Sequence, residues 1–528
     1  MKYSFRSLLS SPGNYDAILA SAAGFLIIQA WSRHGGIGVT PDSVVYMSTA
    51  INIHAHGVIN DFTNLPVMDF PAGYPIFLSG IMTFTGRSCL EFGPVVNGLL
   101  FAGLIWIGGW IMDRFAAVSS GEGVSRLWYR VGYKWPLLLF IVLSPCLLEV
   151  YSMLWSETLF LVLSLLFVIA CHRYFRVHTI SALLLAAAIA GIACVTRYAG
   201  VSFVGMGGLL LLCDGGLSFR RGGILFRKIG RMALFGVVAV VPLALNLYRN
   251  RRLTGTLTGY REKGLTSFGR NLHDFGSVIC DWLPFFHGRY GWATGVAVFF
   301  LLLITGIFIG RLVRSAEERE GFSYDAIVMS YFIVYGGFIL FSATVSRFQQ
   351  LDSRLLSPLF LPWLWGSTCW IPGGVARSRV GWRGVWVVGL VVWGFCFLRG
   401  EWVVDGLNWS GIRYAGIPGY TEDQWRKSPT MEYVRSHPST IMTPGGTVYS
   451  NAFEGLWLLA GMKSELIAHK DFPDDIRDML KGDHFTVIWF DDAENDDLIS
   501  IDYIKKYKKL ANQLRFADGT IYFFTTYF

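Results

Sequence analysis

Apolar runs of membrane-crossing length recur through the first 400 residues of this chain, and they decide what it can become. About 20 apolar residues cross a bilayer as one helix, because a helix satisfies its own backbone hydrogen bonds where no water can. LFLVLSLLFVIA (159–170) and VAVFFLLLITGIFIG (296–310) are two such stretches. Composition agrees: 53% of residues are hydrophobic and only 16% charged, against about a quarter charged in average soluble domains. The chain therefore reads as a polytopic α-helical membrane protein. Its first apolar run, Ala17 to Trp31, lacks a small-residue cleavage site and reads as a retained anchor.

About eleven spans are expected, near residues 16–35, 92–112, 135–150, 157–171, 181–195, 199–213, 231–248, 291–311, 326–344, 355–371 and 383–399. The apolar run 180–213 is too long for one crossing. At about 1.5 Å per residue it would reach roughly 50 Å, against a hydrocarbon core of about 30 Å. Two short helices meeting at TRYAG (196–200) fit better, with Arg197 in the turn.

Lysine and arginine orient the spans. With a cytoplasmic N-terminus the inner segments hold 19 of them and the outer loops before the last span hold 12. The inner excess is what the positive-inside rule expects. The outer cations concentrate in one long loop, 249–290, with Arg249, Arg251, Arg252, Arg261, Lys263, Arg270 and Arg289 against Glu262, Asp274 and Asp281. Its net charge of +4 sits on the face where cations are normally sparse. Anionic lipid headgroups are one partner for such a loop. A phosphate ligand is another, since the planar guanidinium binds two oxygens at once.

The formal charge of +8 hides an asymmetry: residues 1–400 carry +14 and residues 401–528 carry −6. The domain division is therefore a membrane part, 1–400, and a small soluble α/β part, 401–528, placed outside by an odd span count. TVYSN and FTVIWF read as buried strands, DYIKKYKKLANQL as an amphipathic helix, and GTIYFFTTYF as a closing strand.

The first outer loop, 38–75, opens with TPDSVVYMSTAINIHAHG. Asp42, Tyr46, Thr49, Ile53 and His56 fall on one helical stripe, so a helix lying at the membrane surface is expected, with Asp42 as its N-cap. A Pro-rich lead-in follows, with Pro71, Tyr74 and Pro75 at the head of another helix.

This order of features resembles the GT-C superfamily of polyprenyl-phosphate-sugar-dependent glycosyltransferases, and most closely its protein O-mannosyltransferase and lipid A aminoarabinose transferase branch. SMLWSETLFLVLSLL, TRYAGV, NLYRNRRLTGTLTGYR and LDSRLLSPLFLP fit the bacterial members, as do VYSN and VIWF in the tail. The likeness runs over nearly the whole chain. Two departures stand out. The branch often begins the first loop with Asp-Glu, and here it is Asp42-Ser43. Its Pro-Pro-Leu-Tyr lead-in is here Pro71-Ala72-Gly73-Tyr74.

The resemblance implies a GT-C-like bundle that transfers a monosaccharide from a polyprenyl-phosphate donor to an outer acceptor, whether glycan, lipid or protein. It implies the cytoplasmic (inner) membrane, membrane lipids as neighbours and no nucleic-acid partner. Such a transfer needs a base for the acceptor hydroxyl and cations or donors for the leaving phosphate. The resemblance makes Asp42 the base or the group that orients the acceptor. Asp69 is expected to position a sugar hydroxyl or a metal, and Glu157 to reach the pocket. Tyr46, Tyr74, Arg197, Arg249, Arg261, Arg270, Arg347 and Arg354 are the expected substrate contacts. A divalent metal is compatible with this chemistry but not required by it.

Plain structural readings stand beside these. Asp69 before a Pro-rich turn is ordinary loop chemistry, and Glu157 in the first turn of a span complements the helix dipole. Two other classes remain open. A lipid or sugar transporter or flippase would also bring many spans and buried charges, but no internal repeat is visible here. A non-catalytic lipid-binding subunit of the same fold is favoured by the missing second carboxylate and disfavoured by the retained Asp42, Tyr46 and outer arginines.

Overall fold

The computed structural model describes residues 14–119, 129–214, 222–259, 261, 263–283, 288, 290–318, 321–347, 350–377, 380–442, 446–493 and 495–526. Glu262 and Arg289 of the long basic loop lie outside the described residues. The chain divides into two units: Met1–Ala30, Met68–Phe77 and Phe92–Ser410 form the first, and Trp31–Val67, Leu78–Glu91 and Gly411–Phe528 the second.

The first unit is helical. Among the described residues five helices are long and apolar enough to cross a membrane: Cys89–Phe115, Glu157–Val177, Phe226–Thr254, Tyr290–Ser315 and Tyr324–Val345. Tyr129–Val142 and Pro145–Ser152, bent by 42° at their junction, make a sixth if counted as one broken span. The chain is a multi-pass membrane protein. Of the five other expected spans, 383–399 lies within the 36-residue helix Val380–Ala415, and the remaining four lie on shorter helices. Tyr15–Trp31, Ile180–Thr196 and Tyr198–Cys213 are apolar but shorter, and Ser353–Thr368 has 16 residues and carries Pro358 and Pro362.

Burial separates inner helices from outer ones. The apolar windows of Glu157–Val177 and Tyr324–Val345 are each 67% buried, whereas those of Phe226–Thr254 and Tyr290–Ser315 are 17% and 22% buried. Val237, Leu245, Phe299 and Leu302 project outward from the latter two. Exposed aliphatic surface on this scale needs an apolar surround, which lipid supplies. Inside, Phe203 stacks on Phe160 and Phe167 at 5.1 and 5.0 Å, joining Glu157–Val177 to Val201–Cys213.

The long basic segment is not one loop. Helix Gly222–Thr254 continues through Arg249, Arg251 and Arg252. Arg270 lies on a second helix, Phe268–Asp281, capped where Ser267 Oγ accepts from Arg270 N at 3.3 Å. The link between them runs beside residues 345–346, with Gly264 N donating to Val345 O at 2.9 Å. The turn at TRYAG forms as expected: helix Ile180–Thr196 stops at extended Arg197, and a short 3-10 turn leads into Val201–Cys213.

In the second unit the helix expected after the first span is present as Pro41–His56. Its N-cap is Thr40, not Asp42. Pro41 has no N–H to be capped and fits the first helical position, so the cap falls one residue earlier. Thr40 N donates to Ser43 Oγ at 3.1 Å, and the two hydroxyls lie 3.1 Å apart. Gly57, at φ 69°, ends the helix in the left-handed conformation that glycine adopts without strain.

The C-terminal part of this unit holds a five-stranded mixed sheet in the order β2-β1-β3-β5-β4, with short helices before and between its strands. The strands are β1 (Thr447–Ser450), β2 (Glu465–Leu466), β3 (His484–Phe490), β4 (Lys509–Arg515) and β5 (Gly519–Thr525). β1 pairs in parallel with β2 and β3, and β5 pairs antiparallel with β3 and β4. Central β3 is buried along nearly its whole length, and Phe485 and Val487 share a core with Ile467, Met479, Ile504 and Phe524. The stretch expected as one helix, DYIKKYKKLANQL, divides: Ile501–Tyr507 is helical, and residues from Lys509 become edge strand β4. Pairing with β5 outweighs the local helical period there. Polar Lys509, Asn512, Gln513 and Arg515 along this edge discourage pairing with another chain.

Candidate functional site

Three polar groups of the first unit and one of the second contain the expected site residues other than Tyr74 and Arg347. The first group is built on a break between helices. After Ser152 the chain runs extended through Met153, where Asn97 Nδ2 donates to the carbonyls of Tyr151 and Met153 at 3.0 and 2.7 Å. The next helix starts at Glu157, which is 0% exposed. Arg354 Nε donates to Glu157 Oε1 at 2.6 Å, and Arg197 Nη1 meets Oε2 at 2.5 Å. Arg197 Nη1 also donates to Ser156 Oγ at 2.9 Å, and the Arg354 guanidinium lies 4.0 Å from the Trp155 ring centre. Three distant segments thus meet at one carboxylate. Arg197 comes from the helix break at TRYAG. Arg354 comes from the first turn of Ser353–Thr368, which Asp352 caps through Leu355 N at 2.8 Å. Glu149 and Asp352 also act electrostatically on Arg354. The surroundings carry charge that offsets the arginines, and the group ties three elements together.

The second group surrounds Asp69 and the Pro-rich lead-in. Tyr198 Oη donates to Met68 O at 2.7 Å, and Arg261 Nη2 donates to Asp69 O at 3.4 Å. Ala72 N donates to Asn246 Oδ1 at 3.3 Å. Asn250 Nδ2 reaches Leu257 O at 2.8 Å and Tyr198 Oη at 3.4 Å, and Arg249 Nη1 donates to Asn250 Oδ1 at 3.0 Å. Asp69 and Arg261 are exposed and Arg249 half-buried, so this group combines two guanidiniums with one carboxylate at an open surface. Gly259, at φ 74°, lies so close that a Cβ there would collide with the Asp69 carboxylate. Gly259→Ala is expected to displace Asp69 and cost about 1–3 kcal/mol through combined strain and clash. A thermal unfolding comparison with Asp69→Ala checks this: relief of the cost in the Asp69→Ala background identifies the clash as its source.

The third group lines a cavity of about 360 Å³ whose walls include Arg270, His273, Asp274, Asp281, Tyr290 and Asp352. Arg270 pairs with buried Asp274 at 3.2 Å, and Tyr290 Oη donates to Asp281 at 2.9 Å. The carboxylates outnumber the cation here, and such a wall suits hydroxyl donors better than a phosphate.

Asp42 and Tyr46 lie on helix Pro41–His56 in the second unit, with Asp42 half-buried and Tyr46 2% exposed. Glu454, on helix Phe453–Ala460, is close enough to feel the charge of Asp42, and it accepts from Tyr420 Oη at 3.3 Å. Tyr74 is also buried, at 1% exposure, and stacks on Phe77 at 6.1 Å. Arg347 is half-buried beyond the end of Tyr324–Val345. Among the described residues no three His, Cys, Asp or Glu side chains gather as a metal site requires.

The structure thus joins Glu157 to Arg197 and Arg354, and Asp69 to Arg261, with Arg249 linked to the same group through Asn250 and Tyr198. It sets Arg270 apart, at the cavity. Tyr198, Asn246, Asn250, Tyr420 and Glu454 were not singled out from the sequence. Asn246 and Asn250 had a readable signal, since i and i+4 share a helix face beside Arg249. Glu454 had none, because its neighbour lies more than 400 residues away.

These features define a polytopic helical membrane protein with a small mixed sheet in its second unit. The chain is similar to ArnT from Cupriavidus metallidurans: the apo crystal structure aligns at TM-score 0.53 and 13% identity, covering 96% of this chain and 97% of that one. ArnT from the same organism bound to undecaprenyl phosphate aligns at TM-score 0.47 and 11% identity, again over 96% and 97%. The arabinofuranosyltransferase AftD from Mycobacteria aligns at TM-score 0.47 and 13% identity, over 99% of this chain and 41% of that one. No family model and no curated protein matches the sequence.

Proposed function

We propose that this protein is an integral membrane glycosyltransferase that moves a monosaccharide from a polyprenyl-phosphate donor to an acceptor on the outer face of the cytoplasmic membrane. Eleven crossings would put residues 401–528 on that outer face. The observation that carries the reading is the ArnT-like fold over 96% of the chain. Arg249 lies near the end of an outward-facing apolar helix and bonds Asn250, and Arg261 donates to Asp69 O. ArnT itself has been seen bound to undecaprenyl phosphate, and a lipid phosphate of that class is the ligand proposed here. Its phosphate is assigned to Arg249 and Arg261, where cations stand at an open surface near lipid. Arg197 and Arg354 order the neighbouring elements around Glu157. Asp42 takes the proton of the acceptor hydroxyl as the new bond to the anomeric carbon forms and the polyprenyl phosphate leaves.

Mass spectrometry of lipids co-purified with the full chain tests the donor assignment. Wild type is expected to retain a polyprenyl phosphate or its glycosylated form. The double variant Arg249→Ala/Arg261→Ala is expected to lose it by at least about 100-fold, since each hydrogen bond to a charged group contributes about 1.5–3 kcal/mol and two are removed. Bulk phospholipid alone in both samples would count against a polyprenyl-phosphate enzyme.

A further inference from the structure

The resembling enzymes often carry two adjacent carboxylates at the start of the first loop, and this chain has Ser43 in the second place. Ser43 is engaged in the helix cap with Thr40. The structure brings a different carboxylate to Asp42, from the far end of the sequence. The segment before Asp42 is stitched to residues 420–421: Tyr420 N donates to Val39 O at 2.8 Å, and Thr421 Oγ1 donates to Ile37 O at 2.9 Å. After Asp42's helix, Phe62 packs its ring on Phe453 and Trp457 at 5.3 and 5.5 Å. Helix Phe453–Ala460 is thereby fixed against helix Pro41–His56, with Glu454 in its first turn. Gly455 leaves room for the Tyr420 ring, on which a Cβ would press at 2.8 Å.

We propose that Glu454 is a positioning residue for Asp42, a second carboxylate whose charge governs how firmly Asp42 holds the proton taken from the acceptor. The proposal rests on the reading of Asp42 as the base. Burial pushes the Glu454 carboxyl up to about 7, with Asp42 adding to the rise and its helix backbone and Tyr420 opposing it. The other charged groups near its helix lie toward the opposite end. Arg435 from helix Pro429–Ser436 donates to Leu459 O at 3.1 Å and pairs with Glu432 at 3.6 Å. Asp423, near Tyr420, is occupied by Lys427 and His34 at 2.7 and 3.1 Å. Asp42 is therefore the carboxylate that reads the charge state of Glu454. Below pH 7 Glu454 is neutral and Asp42 faces a weak dipole. Above it, Glu454 is an anion and its charge acts on Asp42.

The test uses the full-length protein in detergent. Infrared difference spectra against pH are recorded for wild type, Glu454→Gln, Glu454→Asp and Asp42→Asn. A protonated-carboxyl band that disappears with a midpoint near pH 7 is expected in wild type. It should be missing in Glu454→Gln and move to lower pH in Asp42→Asn, where the neighbouring charge is gone. Gln still accepts from Tyr420, so the band is lost whatever the role of Glu454, but a purely structural role predicts that the pH step in turnover is kept. Turnover is followed as release of polyprenyl phosphate from a panel of synthetic polyprenyl-phosphate pentoses and hexoses. Wild type is expected to rise through pH 7, and Glu454→Gln to lack that rise and fall about tenfold at pH 8.5, the equivalent of one pKa unit. Glu454→Asp should restore the step. A band that survives in Glu454→Gln, or a midpoint unmoved in Asp42→Asn, overturns the proposal. Wild-type turnover by Asp42→Asn overturns the base reading instead and leaves the infrared result standing, so the two failures are distinct.

Discussion

Arg354→Ala is expected to destabilise the protein by about 3–5 kcal/mol, the scale for removing one partner of a buried ion pair. The reason lies in Glu157, which has no solvent exposure and is neutralised from two sides. Removing one guanidinium leaves a carboxylate in a low-dielectric surround with half its compensation. Arg197→Ala should act in the same direction and release the turn at TRYAG as well. Glu157→Gln leaves two cations without their common anion and should also be costly. The decisive comparison is a double-mutant cycle: if the brace is real, Glu157→Gln combined with Arg354→Ala costs less than the sum of the singles, by about 0.5–3 kcal/mol. Apparent melting temperatures and inactivation half-lives of the detergent-solubilised chain measure this. Full retention of thermal stability in Arg354→Ala, with lipid lost, would move Arg354 from the brace to the phosphate site.

The elements that were legible in the sequence share one property: their signal is local. Helix Pro41–His56 is marked by Pro41 at its start, a one-sided stripe and Gly57 at its end. The hairpin at Arg197 is marked by an apolar run too long for one crossing. β3 is marked by a continuous apolar run. What could not be read depends on distant partners. Glu157 looks like a dipole-complementing first-turn residue until Arg197 and Arg354 arrive from 40 and 197 residues along the chain. The same holds for β4, whose helix-like pattern yields to pairing with β5. Tyr46 and Tyr74 read from their motifs as substrate contacts, and the structure packs both rings inside. Spacing says which residues share a face, and burial decides which of them meet solvent.

Asp42→Asn should leave the fold intact and abolish turnover. The cap of its helix is made by Thr40 and Ser43, so the substitution spares the hydrogen bonds that start the helix. What it removes is a negative charge in the first turn, about 0.3–1 kcal/mol of dipole interaction. Loss of a general base costs far more in rate, about 10²- to 10⁴-fold. These scales separate the two roles: a melting temperature close to wild type with turnover down at least about a hundredfold identifies chemistry rather than folding. Co-purified polyprenyl phosphate should be unchanged, because the donor phosphate is assigned to Arg249 and Arg261. Asp42→Glu keeps the charge but lengthens the reach, and should recover part of the rate if a proton is transferred at that carboxylate. Equal loss of lipid and turnover in Asp42→Asn would instead make Asp42 a binding group, and turnover at the wild-type rate would remove it from the reaction.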